Sequence, residues 1–266
     1  MSHEELSARD VFARITAFQQ AAVRRQAERV VDFGEGFTAL CPSFPYSYDH
    51  NLVVLTGDDA PDDVVELVES VLDRTGVEHR LVLAHSAPLG DAVAAALTGA
   101  GYGHTVHVVM RLTASAGPIG DPGEVRELSL DELRPGERAM WQERLPDAPD
   151  EVLDQLADRR VLRRACAEEV VFLGVRDEDG AVVAQADLYL DRGFGCAQIE
   201  DVRTSPAHRG RGLARAVLAE CVRRAAEAGC PVTFLVADAE DWPRRFYERI
   251  GFETVGHTHL FLRFPG

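Results

Sequence analysis

The chain has 266 residues, of which 46% are hydrophobic and 27% charged, a balance typical of a globular protein rather than a disordered or fibrous one. Asp and Glu together number 44 against 28 Lys and Arg, which gives a formal net charge of −16. A surface this acidic repels nucleic acid and anionic lipid, so we expect neither a nucleic-acid nor a membrane partner.

The first part of the chain alternates predicted helices and strands. Apolar residues recur every three or four positions from about Glu4 to Val31, which is the spacing of an amphipathic helix. A stretch with Gly, Pro and Tyr then reads as loop and short strand. Beyond it we predict helices at Asp62–Arg74 and Leu89–Gly99, and strands at Leu52–Thr56, Arg80–Ala84 and Thr105–Leu112.

Residues 116–123 form the clearest predicted linker, with two Pro and three Gly in eight residues. We therefore predict two domains, 1–115 and 124–266, in a mixed α/β protein. Predicted helices of the second domain cover Asp131–Leu145, Pro149–Glu168, Gly210–Ala228 and Trp242–Ile250. Predicted strands cover Val125–Leu130, Val170–Val175, Val182–Leu190, Ala197–Arg203, Val232–Ala237 and Thr254–Phe264.

The two predicted domains repeat one order of elements. In each, a strand, a helix, a second strand and a second helix lead to a Gly-aromatic pair and a last strand. The pairs are Gly101-Tyr102 and Gly251-Phe252, and His107 and His257 keep the same spacing. A repeat of this length favours duplicated domains over a solenoid.

The cysteines and the start of the chain indicate where the protein works. Five cysteines are scattered without a Cys-x-x-Cys pair, which argues against a disulfide framework or a thiolate zinc site. The pair His257-x-His259 has no third ligand nearby, so no metal is expected. The first ten residues lack an apolar segment, and no apolar run reaches the roughly 20 residues of a membrane helix. We expect a cytoplasmic protein.

The turn between a predicted strand and a predicted helix carries the strongest chemical pattern. Gly210 and Gly212 have no Cβ, so a large anion can approach the backbone there. Free N–H groups at a helix start favour negative charge, and Arg209, Arg211 and Arg215 add positive charge around the same turn. This combination predicts a pyrophosphate site.

Two motifs in this half resemble those of a known family. Arg209-Gly-Arg-Gly212-Leu-Ala214 resembles the acyl-CoA signature of the GNAT superfamily of N-acetyltransferases, Arg/Gln-x-x-Gly-x-Gly/Ala. About forty residues later, Trp242–Phe252 is similar to the family's "FYE-x-x-GF" helix end. The resemblance covers about Val125–Phe264. It implies a GNAT fold, in tandem with a degenerate first half, and acetyl-CoA as cosubstrate.

The resemblance also implies which residues contact the cofactor. In the family, the strand before the glycine turn is splayed from its neighbour, so that its backbone pairs with the pantetheine arm. Asp241 stands where the family often has Asn, which puts its pantetheine contact in doubt. The residues placed at cofactor positions are Val202, Arg203, Thr204, Arg209, Gly210, Arg211, Gly212, Leu213, Ala214, Arg215 and Asp241.

Two side chains are candidates for the proton transfers. Tyr247 matches the family's tyrosine that protonates the leaving thiolate, and a phenol is protonated at neutral pH. Glu200, on the strand that leads to the cofactor, is the candidate base, and Asp201 points to the opposite face if that strand is regular. An ordinary packed tyrosine and an ordinary strand glutamate remain the alternatives.

The first domain lacks this equipment. Its corresponding turn, Gly57–Asp63, carries four aspartates, which would repel a pyrophosphate. The predicted function is direct acetyl transfer to a primary amine of a small molecule or peptide, by a monomer or a homodimer. The alternatives are a non-catalytic acyl-CoA-binding or interaction module, O-acylation, and a longer acyl donor.

Overall fold

The computed structural model describes residues 7–57, 59–113, 117 and 119–265, so Asp58 and, in the predicted linker, Ala116 and Pro118 lie outside the described residues. Contacts divide the chain into two units. The first comprises Met1–Met110, Ala237–Arg245 and Thr254–Gly266, and the second Arg111–Val236 and Phe246–Glu253. Unlike the predicted domains, the first unit thus includes two segments from the C-terminal part of the chain.

The first unit is built on antiparallel and parallel strand pairs. Strand β1 pairs antiparallel with β2 and β2 with β3, whereas β3 pairs parallel with β4. The elements in chain order are α1 (Ala8–Gln26), β1 (Arg29–Phe33), β2 (Gly36–Leu40), β3 (Leu52–Leu55), α2 (Val64–Asp73), β4 (Arg80–Ala84), α3 (Ala87–Gly99) and β5 (Gly103–Leu112).

The first predicted helix is shorter than its apolar pattern indicates. Helix α1 begins after Ser7, whose side chain accepts a hydrogen bond from the backbone N–H of Asp10, and it ends at Gln26. Val30 and Val31, which continue the helical spacing, instead belong to β1 and pair with β2. β-Branched residues fit a strand well, and pairing with a neighbouring strand overrides a helical period.

The core of this unit lies where helices α2 and α3 pack on the strands. Leu72 of α2 and Leu97 of α3 are fully buried in one apolar cluster with Val53 of β3.

His259, part of the predicted His pair, is also buried, and its Nδ1 lies 3.0 Å from Nε2 of His104. Among the described residues, no three His, Cys, Asp or Glu side chains are grouped as metal ligands would be.

The second unit contains a run of five paired strands among the described residues. Within it the strand order is β6-β7-β8-β9-β10, antiparallel except for the parallel pair β9–β10. The remaining elements are β6 (Arg126–Glu127), α4 (Leu130–Arg144), α5 (Asp150–Asp158), β7 (Glu169–Arg176), β8 (Val182–Asp191), β9 (Cys196–Thr204), α6 (Leu213–Glu227), β10 (Val232–Asp238), α7 (Pro243–Arg249) and β11 (Phe252–Arg263).

The second helix after the predicted linker is split in two. The helix predicted over Pro149–Glu168 ends as α5 at Asp158 and continues as a 3-10 helix over Arg159–Ala165. Side chains three residues apart eclipse one another in a 3-10 helix, so Arg160 and Arg163 project on the same side. Both arginine side chains contact buried carboxylate groups. The α-helix predicted for this segment does not by itself indicate these contacts.

The two units share one order of strand pairing. In the first unit, β1 to β4 pair antiparallel, antiparallel and parallel, and β7 to β10 of the second unit pair in the same sequence. The last strand, β11, pairs antiparallel with β4, from His259 opposite Ala84 to Arg263 opposite Arg80. The C-terminal strand predicted to complete the second domain is therefore built into the first unit. The tandem origin itself stays a prediction.

Two further expectations can be compared with the structure. All five cysteines have free thiols and are buried. Of the helices in the described ranges, none has both the length and the apolar character needed to cross a membrane.

Gly90 of α3 is required by close packing on His259. A Cβ built at Gly90 would lie 2.2 Å from Cγ of the buried His259 ring. We expect Gly90→Ala to lower the free energy of unfolding by about 1–3 kcal/mol, the usual range for overpacking a core. Gly99→Ala in the same helix is the control, because its Cβ would meet no atom within 4 Å. It should be neutral or stabilise by up to about 1 kcal/mol. Equal urea denaturation midpoints for the two variants would contradict this packing.

Candidate functional site

Strand β9 has an open backbone edge in its second half. Its parallel pairing with β10 runs from Cys196 opposite Val232 to Ile199 opposite Leu235 and goes no further in the described structure. On its other side, β9 stays paired with β8 as far as Thr204. The backbone of residues 200–204 therefore has one edge available to an extended ligand. This is the splay that the sequence resemblance implies.

The matching strand pair of the first unit is closed. The parallel pair β3–β4 is matched up to Leu55 opposite Ala84, the last residue of each strand. The N-cap of the following helix α2 is Asp63, whose carboxylate accepts a hydrogen bond of 2.9 Å from the N–H of Glu66. A helix start that already holds a carboxylate repels a second anion. Within its described residues, the first unit thus has neither the open edge nor the free helix start.

The glycine turn after β9 ends in an uncapped helix. Gly210 and Gly212 have φ angles of 75° and 81°, a left-handed conformation that favours glycine. Gly212 is the N-cap of α6 and offers no side chain, and the first helical bond runs from the N–H of Ala216 to the Gly212 carbonyl. The N–H groups of residues 213–215 therefore have no acceptor within the helix.

Three arginines surround this turn without carboxylate partners. Arg209, Arg211 and Arg215 are exposed, and none of them forms an ion pair with any residue that the structure describes. Further along α6, by contrast, Arg223 and Arg224 both bind Glu220. Nε of Arg209 donates to the carbonyl of Thr204 at 3.5 Å. Guanidinium groups without carboxylate partners, beside free helix N–H groups, make the turn suitable for a diphosphate.

Thr204 adds a polar group to the end of the open edge. Its Oγ1 is buried and has no hydrogen-bond partner within the described residues. A buried hydroxyl without a partner is unfavourable, so it fits a position where a bound ligand supplies one.

The predicted base, Glu200, is half-buried and lies beside an acidic residue. Burial and, after it, the neighbouring charge of Asp201 raise the pKa of Glu200 to about 7, while Arg163 opposes this rise. Its Oε1 accepts a hydrogen bond of 2.5 Å from Nε2 of Gln198, two residues earlier. A carboxylate with a pKa near neutrality can take up a proton at physiological pH.

The predicted acid, Tyr247, belongs to α7 and shares the surroundings of Glu200. Its ring is 7% exposed and packs against Phe246 and Phe252, with centroids 5.5 and 6.0 Å away. Burial, and secondly the charge of Glu200, raise the pKa of the Tyr247 hydroxyl. The phenol is therefore protonated at neutral pH, and the structure brings the two predicted catalytic groups within electrostatic range of each other.

Strand β9 is not regular at the residue after Glu200. The register with β8 shifts between Asp187 opposite Glu200 and Gln185 opposite Arg203, so Asp201 and Val202 together face a single residue of β8. Asp201 has a φ of 50°. The simple alternation expected of Glu200 and Asp201 is therefore interrupted by a β-bulge.

The side chain of Arg203 is committed within the protein. Its guanidinium contacts Oε1 of Glu137, donates to Oε1 of Gln185 at 3.0 Å, and lies 2.7 Å from Sδ of Met140. The side chain of Arg203 is thus not free for a ligand, and its predicted cofactor contact stays a prediction. Asp241 accepts a hydrogen bond of 2.7 Å from the N–H of Trp242, and its pantetheine contact stays a prediction.

Sequence reasoning missed an ion network behind β9, whose inner members are buried and whose Asp201 is exposed. Asp187 is 1% and Arg160 3% exposed, and their charged groups lie 3.2 Å apart. The signal for Asp187 was present, since it is the one charged residue within the apolar strand Val182–Leu190. The members of this network are Glu137, Arg160, Arg163, Asp187, Asp201 and Arg203.

Comparison with known proteins agrees with the geometry. Residues 130–252 match the sequence model of the acetyltransferase (GNAT) family. This segment, which makes up somewhat less than half of the chain, is thus similar to the GNAT family, as its motifs indicate. No curated protein matches the sequence.

Similar solved structures extend along most of the chain and show the fold. A functionally unknown conserved protein from Staphylococcus epidermidis has a TM-score of 0.70 at 13% identity, covering 91% of this chain and 96% of its own. A GCN5-related N-acetyltransferase from Kribbella flavida has a TM-score of 0.61 at 18% identity, with coverages of 96% and 95%. A GCN5-related N-acetyltransferase from Sphaerobacter thermophilus has a TM-score of 0.50 at 16% identity, covering 97% of this chain and 93% of its own. The predicted mixed α/β GNAT fold is confirmed.

Proposed function

We propose that this protein is an acetyl-CoA-dependent N-acetyltransferase that transfers the acetyl group directly to a primary amine of a small molecule or peptide. The observation that carries the proposal is the open edge of β9, which leads into the uncapped, arginine-flanked start of α6. An acyl-CoA has both parts that such a site selects, an extended amide-containing arm and a diphosphate.

The residues present fit this ligand. Backbone groups of Val202, Arg203 and Thr204 would pair with the pantetheine arm, and the buried Thr204 hydroxyl would gain its missing partner. The turn from Arg209 to Arg215 would hold the pyrophosphate through backbone N–H groups and guanidinium groups. Bound acetyl-CoA supplies the thioester whose carbonyl carbon is attacked.

The chemistry needs two proton transfers, and the site has one group for each. The attacking amine forms the new C–N bond and gives up a proton, which Glu200 accepts directly or through water. The C–S bond breaks, and the departing sulfur takes a proton from Tyr247. A backbone N–H on the open edge of β9 would stabilise negative charge on the carbonyl oxygen, an effect worth roughly 3–4 kcal/mol per donor where it has been measured.

Direct transfer is favoured over a covalent acyl-enzyme. Burial raises the pKa of the Cys221 thiol, which disfavours the nucleophilic thiolate. Ser205 Oγ lies 2.8 Å from Nδ1 of His208, but the same Ser-x-x-His pair, at 2.7 Å, joins Ser47 and His50 in the first unit. Both pairs flank short 3-10 helices, so this arrangement is a local turn structure.

The proposal extends to the setting of the enzyme. The first unit would be the degenerate half of a tandem GNAT pair, because it repeats the strand pairing but has a closed β3–β4 edge. We expect a monomer or a homodimer in the cytoplasm, with neither nucleic acid nor membrane as partner, in keeping with the net charge of −16.

Acetyl-CoA binding should depend on Gly212. At a hundredfold excess over its dissociation constant, acetyl-CoA should raise the free energy of unfolding by about 2.7 kcal/mol, measured by thermal melting. Gly212→Asp should abolish the shift, because it adds negative charge to the anion site. Gly229→Asp is the control: it makes the same change at a φ of 74° near the other end of α6.

The control variant should keep the shift despite its strained backbone. A shift retained in Gly212→Asp would remove the pyrophosphate from this turn. A folded wild type without any shift would exclude acetyl-CoA as ligand, and a shift without acceptor-dependent thiol release would favour the non-catalytic module.

Tyr247→Phe should slow turnover without loosening the fold. We expect kcat to fall about 100-fold or more, with KM for acetyl-CoA little changed, because the proton donor is lost and the ring remains. The assay is thiol release from acetyl-CoA with the best acceptor in a panel of primary amines. Tyr102→Phe, which removes another buried hydroxyl, bonded to Glu69 in the first unit, should leave kcat unchanged. An unaltered kcat in Tyr247→Phe takes the tyrosine out of the mechanism.

Glu200 should give the rate an acid limb near neutrality. Only the ionised carboxylate accepts a proton, so kcat/KM should rise with pH through the pKa of about 7 and level off above it. In Glu200→Gln the rate should be lower and this limb should disappear. A limb that survives in the variant belongs to another group, such as the acceptor amine.

A further inference from the structure

The backbone at Asp201 is unusual for this protein. Among the described residues other than glycine, Asp201 alone has a φ in the left-handed region, at 50°. Asp and Asn visit this conformation more readily than most residues, but it persists only where the surroundings impose it. The feature therefore calls for a structural cause.

The bulge lies where β9 leaves β10. The last parallel pair joins Ile199 to Leu235, Glu200 follows, and Asp201 and Val202 then bulge opposite β8. A bulge bends its strand and increases the local twist. Its position makes it the local feature that turns residues 200–204 away from a continued pairing with β10.

Two arginines hold the bulge from outside the strand. Nη2 of Arg160 lies 2.7 Å from Oδ2 of Asp201, and Nη1 of Arg163 contacts the same oxygen. Both arginines also bind Oδ2 of Asp187 on β8, at 3.2 and 2.8 Å. The 3-10 helix thus clamps β8 and β9 together at the irregular register.

We propose that Asp201, held by Arg160 and Arg163, is a positioning residue that fixes the bulge of β9 and thereby sets both the open strand edge and the environment of Glu200. It contacts no reacting atom and acts through Glu200 and the backbone. The inference deepens the proposed function and rests on it for its catalytic meaning. The clamp itself can be tested without any substrate.

The charges around Glu200 give the clamp a measurable signature. Asp201 and Asp187 raise the pKa of Glu200, whereas Arg163 lowers it. Tyr247 and Tyr189, both neutral at pH 7, also lie within its electrostatic range. When the charge of Asp201 is removed, one repulsion is lost and Arg163 is less neutralised, so both changes lower the pKa of Glu200.

Three substitutions separate the backbone role of Asp201 from its charge. D201N keeps the size and the tolerance for the left-handed conformation but removes the charge. D201G keeps the conformational freedom alone, and D201A removes both. D179N, which removes a charge from the exposed turn between β7 and β8, is the control for a general effect of charge.

The first readout is the titration of Glu200, followed by carboxyl ¹³C NMR of glutamate-labelled protein and assigned with Glu200→Gln. We expect a midpoint near pH 7 in the wild type and in D179N. In D201N the midpoint should fall by about one pH unit. A D201N midpoint equal to that of the wild type would overturn the proposal, and a general loss of stability would not move this midpoint selectively.

The second readout is acetyl-CoA binding by calorimetry. D201N, whose amide oxygen can still accept hydrogen bonds from the arginines, should bind within about twofold of the wild type. D201G and D201A lose the contact with the arginines and should bind about tenfold more weakly, and alanine also disfavours the bulge conformation. Equal affinity in D201A would overturn the positioning of the open edge. If the wild type binds no acetyl-CoA, the proposed function fails, while the NMR midpoints still decide whether Asp201 sets Glu200.

Discussion

The structure of the second unit depends on the point at which a parallel strand pair stops. Backbone N–H and C=O groups of a strand require partners, and β9 runs five residues beyond its last partner on β10 while staying paired with β8. The backbone N–H and C=O groups at this edge can form hydrogen bonds with an amide-containing ligand. At the end of this edge, the buried hydroxyl of Thr204 also lacks a hydrogen-bond partner within the described residues. The glycine turn and the free start of α6 follow the open edge directly in the chain.

The two units differ at the end of their parallel strand pair and at the start of the helix that follows it. Both have strands that pair antiparallel, antiparallel and parallel, and in both the parallel pair is followed by a helix. In the first unit the pairing continues to the strand ends, and Asp63 occupies the helix start. In the second unit the bulge at Asp201 interrupts the ladder, and Gly212 leaves the helix start free. Local backbone conformation at two residues thus accompanies the difference in strand pairing and helix capping.

The main effect of the ion network behind β9 is on the geometry of the strand rather than on the stability of the fold. Burying charges carries a desolvation penalty that pairing only partly offsets, so such a network is weak evidence for stability. Here its members come from α4, from the 3-10 helix and from both strands that flank the bulge. Because these elements meet in one set of ion pairs, the network ties the geometry of β9 to the packing of the helices, although Oδ1 of Asp187 is buried without a hydrogen-bond partner among the described residues. The pKa of Glu200 near neutrality is a consequence of the same burial and charge.

The sequence by itself determined the fold class, the order of elements, the glycine turn and the identity of Tyr247 and Glu200 as candidates, because these rest on local periodicity, on glycine conformation and on short motifs. It could not give the end of α1, the 3-10 helix after α5 or the bulge at Asp201. In each of these cases, contacts between residues distant in sequence override the local pattern: β1 pairs with β2, Arg160 and Arg163 reach carboxylates on β8 and β9, and β8 imposes its register on β9. The placement of β11 beside β4 is also decided by the tertiary structure. An apolar strand pattern indicates that the strand pairs with another strand, but it does not specify which one.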